Sequence, residues 1–291
     1  MSIFLHYDRV ALDAEYDNSG KVADAEDYIA GWKTRSEEAR SNLDCSLDLA
    51  YGPSTAETLD IFPSNTPGKF PINVFYHGGY WRELHKNDFS YVVHAVHAAG
   101  AVTVVVNYAL VPEVSFDELV RQCRAALAWV WNNADNFEGD REQLFVSGHS
   151  AGGHLVAMMM ATDWPAFDVG LPAQPICGGC GISGLYDLEP IRLCFLNEDL
   201  KLSEETATRN SPMKQKRTCL SPLLLPVGAS EGPEYLRQSN GLSEAWSRSG
   251  ETPKVLVMPG HNHFSIAAQL DDSESELSRS IQDQMGLHPS T

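Results

Sequence analysis

The chain reads as an α/β protein: a mostly parallel central sheet with helices on both faces, plus a cap-like insertion. Three observations predict this. Short apolar runs alternate with helical stretches along most of the 291 residues, and strand–helix alternation implies right-handed crossovers and parallel pairing. The runs are rich in β-branched residues and continuous, as expected of strands covered on both faces. One of them ends in Gly148-His149-Ser150-Ala151-Gly152, a pattern suited to a sharp strand-to-helix turn.

Taken in order, residues 1–45 are polar and acidic. Within them, 24–40 has Tyr28, Ile29 and Trp32 at helical spacing, which predicts a helix in an N-terminal arm laid on the main domain. Runs at 47–50 and 58–62, ended by Gly52-Pro53 and Pro63-Ser64, predict two antiparallel strands. Strands follow at 72–76 and 102–107, with a helix at 91–99 that stops at Gly100. An amphipathic helix at 116–132, a strand at 144–147 and a buried helix at 153–161 come next. Strands at 176–182, 224–227 and 255–258 complete the sheet. The polar stretch 186–222 breaks the rhythm and is expected to form the cap. The whole chain is read as one domain, 1–291.

Composition narrows the function. Apolar residues make up 43% and charged residues 21%, ordinary for an ordered globular protein. The formal net charge of −18 repels phosphate backbones and anionic lipid, and no Lys/Arg cluster stands out, so neither nucleic acid nor membrane is an expected partner. The first residues lack a basic segment followed by a long apolar one, and no uninterrupted apolar stretch approaches a membrane span. A cytoplasmic protein with reduced thiols is therefore expected, its six cysteines being too few for a disulfide scaffold. A small-molecule substrate is the expected partner, and a homodimer is left open.

The chemistry is carried by four segments. In Gly148–Gly152 the serine sits on a strained turn that tolerates only small residues two positions either side, so Ser150 is the candidate nucleophile. His77-Gly78-Gly79-Tyr80-Trp81 follows the 72–76 strand. Its glycines let backbone N–H groups turn inward and, with the N–H of Ala151, stabilise a developing oxyanion. His77 is read as organising this loop, while Tyr80, Trp81 and His149 are candidate substrate-contacting residues, core packing being the other reading of Trp81. His263, in the loop after the last strand, is the candidate base, with His261 the nearest rival; His94, His97 and His154 are read as packing groups. For the acid that orients the base, Glu231 leads, with Glu234 and Asp187 as alternatives. Cys177-Gly178-Gly179-Cys180 has no second cysteine pair at metal spacing and is read as core. No phosphate-binding loop appears.

The segments HGGYW, GHSAGGHL, EGPEYLRQS and HNHFSI, in this order, resemble the arylformamidase (kynurenine formamidase) branch of the α/β-hydrolases, which is related to the hormone-sensitive-lipase-type esterases. The similarity spans roughly residues 45–275. It implies Ser150 as nucleophile, His263 as base and Glu231 as acid, where many relatives carry aspartate. It also implies Gly79 and Tyr80 as oxyanion donors, beside the Gly78 and Ala151 N–H groups read from the loop and turn themselves, and neither metal nor organic cofactor. The implied activity is hydrolysis of a small, aromatic N-formyl amide or ester through an acyl-enzyme. Short-chain carboxylesterase or small amide/carbamate hydrolase activity is the alternative. A non-catalytic ligand-binding homologue is a third reading.

Overall fold

The computed structural model describes residues 1–64, 68–248 and 251–287. Eight strands are present: β1 Ser46–Ala50, β2 Thr58–Phe62, β3 Phe70–Tyr76, β4 Val102–Val106, β5 Gly139–His149, β6 Gly178–Ile182, β7 Leu223–Gly228 and β8 Lys254–Met258. They form one sheet in the order β1-β2-β4-β3-β5-β6-β7-β8. β1 and β2 pair antiparallel, β2 runs antiparallel to β4, and every other neighbour is parallel. The β-branched run of β4 is buried throughout, as is β6.

Successive side chains of a strand point to opposite faces, so the sheet divides the core in two. Ile72, Val74 and Tyr76 of β3 belong to one side. There they meet α3 (Phe116–Asn133), α4 (Ala151–Met160) and α5 (Pro233–Trp246). Phe75 and Val105 point to the other side, against α2 (Ala25–Asn42) and α6 (Glu276–Met285). The arm is thus part of the body: α1 (Arg9–Tyr16) buries Leu12 and Tyr16, and α2 buries Trp32 and Ala39. Near β2, Lys86 is almost wholly buried and its Nζ lies 2.6 Å from Asp60 and 2.7 Å from Asp48, so its charge is compensated where water is excluded.

Two elements differ from expectation. The 91–99 stretch is split into a 3₁₀ turn at Ser90–Val93 and a short α-helix at His94–His97. β-branched Val92 and Val93 weaken helix propensity there, and burial fixes the segment instead. β5 begins five residues earlier than its apolar run. Gly139 and Asp140 pair with Phe70 and Pro71, and an irregularity then shifts the register before Ile72. All six cysteines are free; Cys180 is buried and Cys177 half-buried. Among the described residues no helix is long and apolar enough to cross a membrane.

Candidate active site

Ser150 sits between β5 and α4 at φ +58°, ψ −117°. A Cβ on Gly152 would lie 1.9 Å from the Tyr76 carbonyl oxygen, and one on Gly148 would lie 2.5 Å from the Gly152 carbonyl oxygen. Any larger residue would push the turn off β3. The strained serine is therefore held by backbone packing on both sides. Ala151 opens α4, so its N–H has no acceptor within the helix.

His263 lies in the loop after β8. The Asn262 side chain accepts from the N–H groups of Phe264 (2.9 Å) and Ser265 (2.8 Å), and Ser265 Oγ accepts from the Asn262 N–H, which fixes this turn. His263 Nε2 is 3.0 Å from Ser150 Oγ and its Nδ1 is 2.6 Å from Glu231 Oε2. Nδ1–H donates to the carboxylate, which leaves the Nε2 lone pair facing the serine hydroxyl. The second carboxylate oxygen, Oε1, accepts from Ser183 Oγ at 2.6 Å and from the Gly228 N–H at 2.5 Å. The structure therefore brings Ser150, His263 and Glu231 together. Each is nearly inaccessible to water.

The rivals are placed elsewhere. Glu234 accepts from Tyr16 Oη at 2.7 Å and pairs with Arg237 at 2.8 Å. Asp187 faces Arg237 and Lys214. The His261 ring bonds to Gln269. Four other histidines are buried, and three of them, His77, His149 and His154, lie around the serine turn. Burial lowers His77 to about 3, and its ring stacks on Tyr108 at 4.2 Å. Burial lowers His154 to about 4, where it accepts from Trp81 Nε1 and donates to the Asn210 carbonyl. His149 is pushed well below its ordinary value, by burial and then by the nearby His263. Its Nε2–H donates to the His263 carbonyl at 2.9 Å, so His149 supports the histidine loop from beneath.

The loop after β3 lies against the serine. A Cβ on Gly78 would be 3.3 Å from Ser150 Cβ. Gly79 adopts φ +105°, and a Cβ there would be 2.0 Å from the Glu83 carbonyl oxygen. Tyr80 and Trp81 follow at φ +47° and +60°. Gly78, Gly79 and Tyr80 all border a cavity of about 330 Å³ above Ser150, as do His149 and His263.

Trp81 does not. The expectation that it lines the substrate site is corrected: the two left-handed residues turn the chain, and Trp81 is fully buried on the far side, packed on Phe116 and His154 at 5.0 Å. Sequence reasoning also missed most of the cavity wall. Ile29 and Trp32 of α2 line it together with Tyr16 and Asn18, and the 186–222 segment supplies Phe195. The helical spacing of Tyr28, Ile29 and Trp32 was a signal for a buried face, but nothing local said what that face covers. Among the described residues no group of His, Cys, Asp or Glu is arranged to hold a metal.

A mostly parallel sheet with the Ser150 turn after β5 and the His263 loop after β8 defines an α/β-hydrolase fold. The family model BD-FAE matches residues 59–171. The kynurenine formamidase of Danio rerio is 32% identical over 265 residues, covering 89% of this chain and 88% of its own length. A crystal structure from Silicibacter sp. TM1040, assigned as a candidate thioesterase, superimposes with a TM-score of 0.82 at 30% identity, covering 93% of this chain and 98% of that one. A hyperthermophilic esterase from Pyrobaculum calidifontis shares the fold at 19% identity, with a TM-score of 0.71 and 96% of each chain covered. The chain belongs to the kynurenine formamidase family, a group of esterase/amidase-type hydrolases.

Proposed function

We propose that this protein is a serine hydrolase that cleaves a small aromatic N-formyl amide or ester through an acyl-enzyme. The observation that carries the reading is the continuous hydrogen-bond path from Ser150 through His263 to Glu231, at 3.0 and 2.6 Å. Ser150 Oγ attacks the carbonyl carbon while His263 Nε2 takes its proton. Glu231 fixes the tautomer and stabilises the imidazolium. The N–H groups of the 78–80 loop and of Ala151 receive the oxyanion, helped by the positive end of α4. His263 then protonates the leaving amine or alcohol. Water, deprotonated by the same histidine, releases the acid and restores Ser150.

The cavity supports a small substrate. At about 330 Å³ it is at the lower end of ligand sites, and Trp32, Phe89, Phe195 and Phe264 give it aromatic walls. The test is a comparison of kcat/KM for N-formyl-kynurenine, p-nitrophenyl acetate and p-nitrophenyl butyrate, with Ser150→Ala as the blank. A preference for the formamide of about tenfold, equivalent to ~1.4 kcal/mol, supports a formamidase. A preference for the esters makes it a carboxylesterase. Equal rates in wild type and Ser150→Ala overturn the mechanism.

A further inference from the structure

The N-terminal arm touches both loops of the proposed machinery. Asn18, in the short helix Asn18–Lys21 after α1, donates through Nδ2 to the Tyr80 hydroxyl at 2.9 Å and to the Tyr235 hydroxyl at 2.6 Å. Tyr80 gives its only hydroxyl proton to the Tyr16 carbonyl at 2.8 Å. The Tyr235 hydroxyl, 2.8 Å away, therefore donates to Tyr80. A closed ring of hydrogen bonds thus joins the arm, the loop after β3 and α5, in a place that excludes water. Three residues on, Lys21 Nζ donates to the backbone carbonyl of Glu231 at 2.8 Å and to that of Glu15 at 2.5 Å. Its ammonium lies 5.5 Å from the Tyr235 ring centre, and that ring is 4.7 Å from the ring of His263.

These contacts fall where the chain is least able to hold itself. Tyr80 is at φ +47°, next to Trp81 at +60°, conformations that persist only where surroundings over-determine them. Glu231 is carried by a loop, not by a strand or helix. Oxyanion donors and the acid must both be in register with Ser150, and displacement of such groups by about 1 Å costs orders of magnitude in rate.

We propose that the arm is a positioning clamp, in which Asn18 fixes the loop carrying the 78–80 N–H groups and Lys21 fixes the loop carrying Glu231. Neither residue acts on the reacting atoms. The inference rests on the Ser150–His263–Glu231 reading and goes beyond it: residues of the N-terminal arm set the turnover rate.

The test uses the full chain as Asn18→Ala, Lys21→Met and Lys21→Arg. Active sites are titrated to completion with an organophosphate, and p-nitrophenyl acetate turnover is measured alongside the melting temperature. The clamp predicts that Asn18→Ala and Lys21→Met each lower kcat per titrated site by roughly tenfold or more, with KM little changed in Lys21→Met, whose side chain does not line the cavity, and that Lys21→Arg, which keeps a donor, recovers most of the loss. A merely structural arm would lower the melting temperature and the titre but leave kcat per titrated site within about twofold of wild type; that result overturns the clamp. Should Asn18→Ala fail to fold, Tyr235→Phe opens the same ring and keeps the aromatic packing, and the same two outcomes decide. A wild-type enzyme that the organophosphate does not titrate overturns the serine reading itself, and the clamp with it.

Discussion

Ser183 Oγ donates to Glu231 Oε1 at 2.6 Å, on the carboxylate oxygen turned away from His263. Ser183 follows β6 at φ +50°, so a residue from a neighbouring strand loop aims the proposed acid. With the hydroxyl removed, Oε1 retains the Gly228 N–H and the carboxylate can rotate. A hydrogen bond to a charged group contributes about 1.5–3 kcal/mol. Ser183→Ala is therefore expected to lower kcat/KM by roughly tenfold to a hundredfold, in a protein that remains folded by circular dichroism. An unchanged kcat/KM would mean that Gly228 alone orients Glu231.

Glu231 and Glu234 are three positions apart and both buried, yet they face different partners. Glu231→Gln keeps the shape and removes the charge opposite Nδ1–H, and is expected to lower kcat by some 10²–10⁴-fold. Glu234→Gln leaves His263 untouched and instead removes the negative charge opposite Arg237 and one of the two oxygens that accept from Arg237 and Tyr16. Its effect is expected in stability, about 1–3 kcal/mol, with kcat per active site near wild type. Parallel urea melts and kinetics on the two variants distinguish the roles, and the reverse ordering of kcat would assign the acid to Glu234.

Much of this was legible before the structure, for local reasons. The turn that holds Ser150 is written in five consecutive residues because the backbone of β3 presses on both glycines. Chain order puts the candidate base in the loop after β8 but does not separate His263 from His261; the helix start at Phe264-Ser265-Ile266 is what favours His263. The acid was a choice among Glu231, Glu234 and Asp187, because which carboxylate reaches an imidazole depends on where β7, β8 and α5 meet, and no spacing encodes that. Trp81 could be read as wall or as core, because adjacency to Gly78 and Gly79 says nothing about side-chain direction once two successive residues are left-handed. Asn18 and Lys21 were invisible for a similar reason: their partners Tyr80, Tyr235 and Glu231 lie far along the chain, and a polar residue in an acidic arm carries no mark of its acceptor.

The neutral buried histidines give the protein a defined pH response. His77, at about 3, and His154, at about 4, both lie below the ordinary 6.5 because burial penalises the charged ring. The unfolded chain therefore takes up these protons first. Stability is fully present above about pH 6.5 and falls as the pH drops toward the folded values, by up to ~1.4 kcal/mol per pH unit for each histidine. Urea midpoints at pH 8 and pH 5 should show the decline. In His154→Gln, which keeps hydrogen-bonding capacity without a titrating ring, the difference between the two pH values should be smaller. An identical difference in the variant would show that His154 does not bear the load.

The opposite placements of Trp81 and Phe195 make a final contrast. Trp81 is away from the cavity and donates to His154 at 3.2 Å. Trp81→Phe loses that bond and part of a buried ring, so it is expected to destabilise by about 1–3 kcal/mol while KM stays the same for aryl and alkyl substrates alike. Phe195 borders the cavity, half-buried, with the Arg82 guanidinium 5.9 Å from its ring centre. Phe195→Ala removes an aromatic wall at small cost to the fold, and is expected to raise KM for an aryl formamide severalfold, in line with ~1 kcal/mol for an aromatic contact. KM for a short alkyl ester, which fills less of the cavity, should change little. Measured KM ratios for the two substrates across both variants decide the matter, and a substrate-selective effect in Trp81→Phe would return that indole to the binding site.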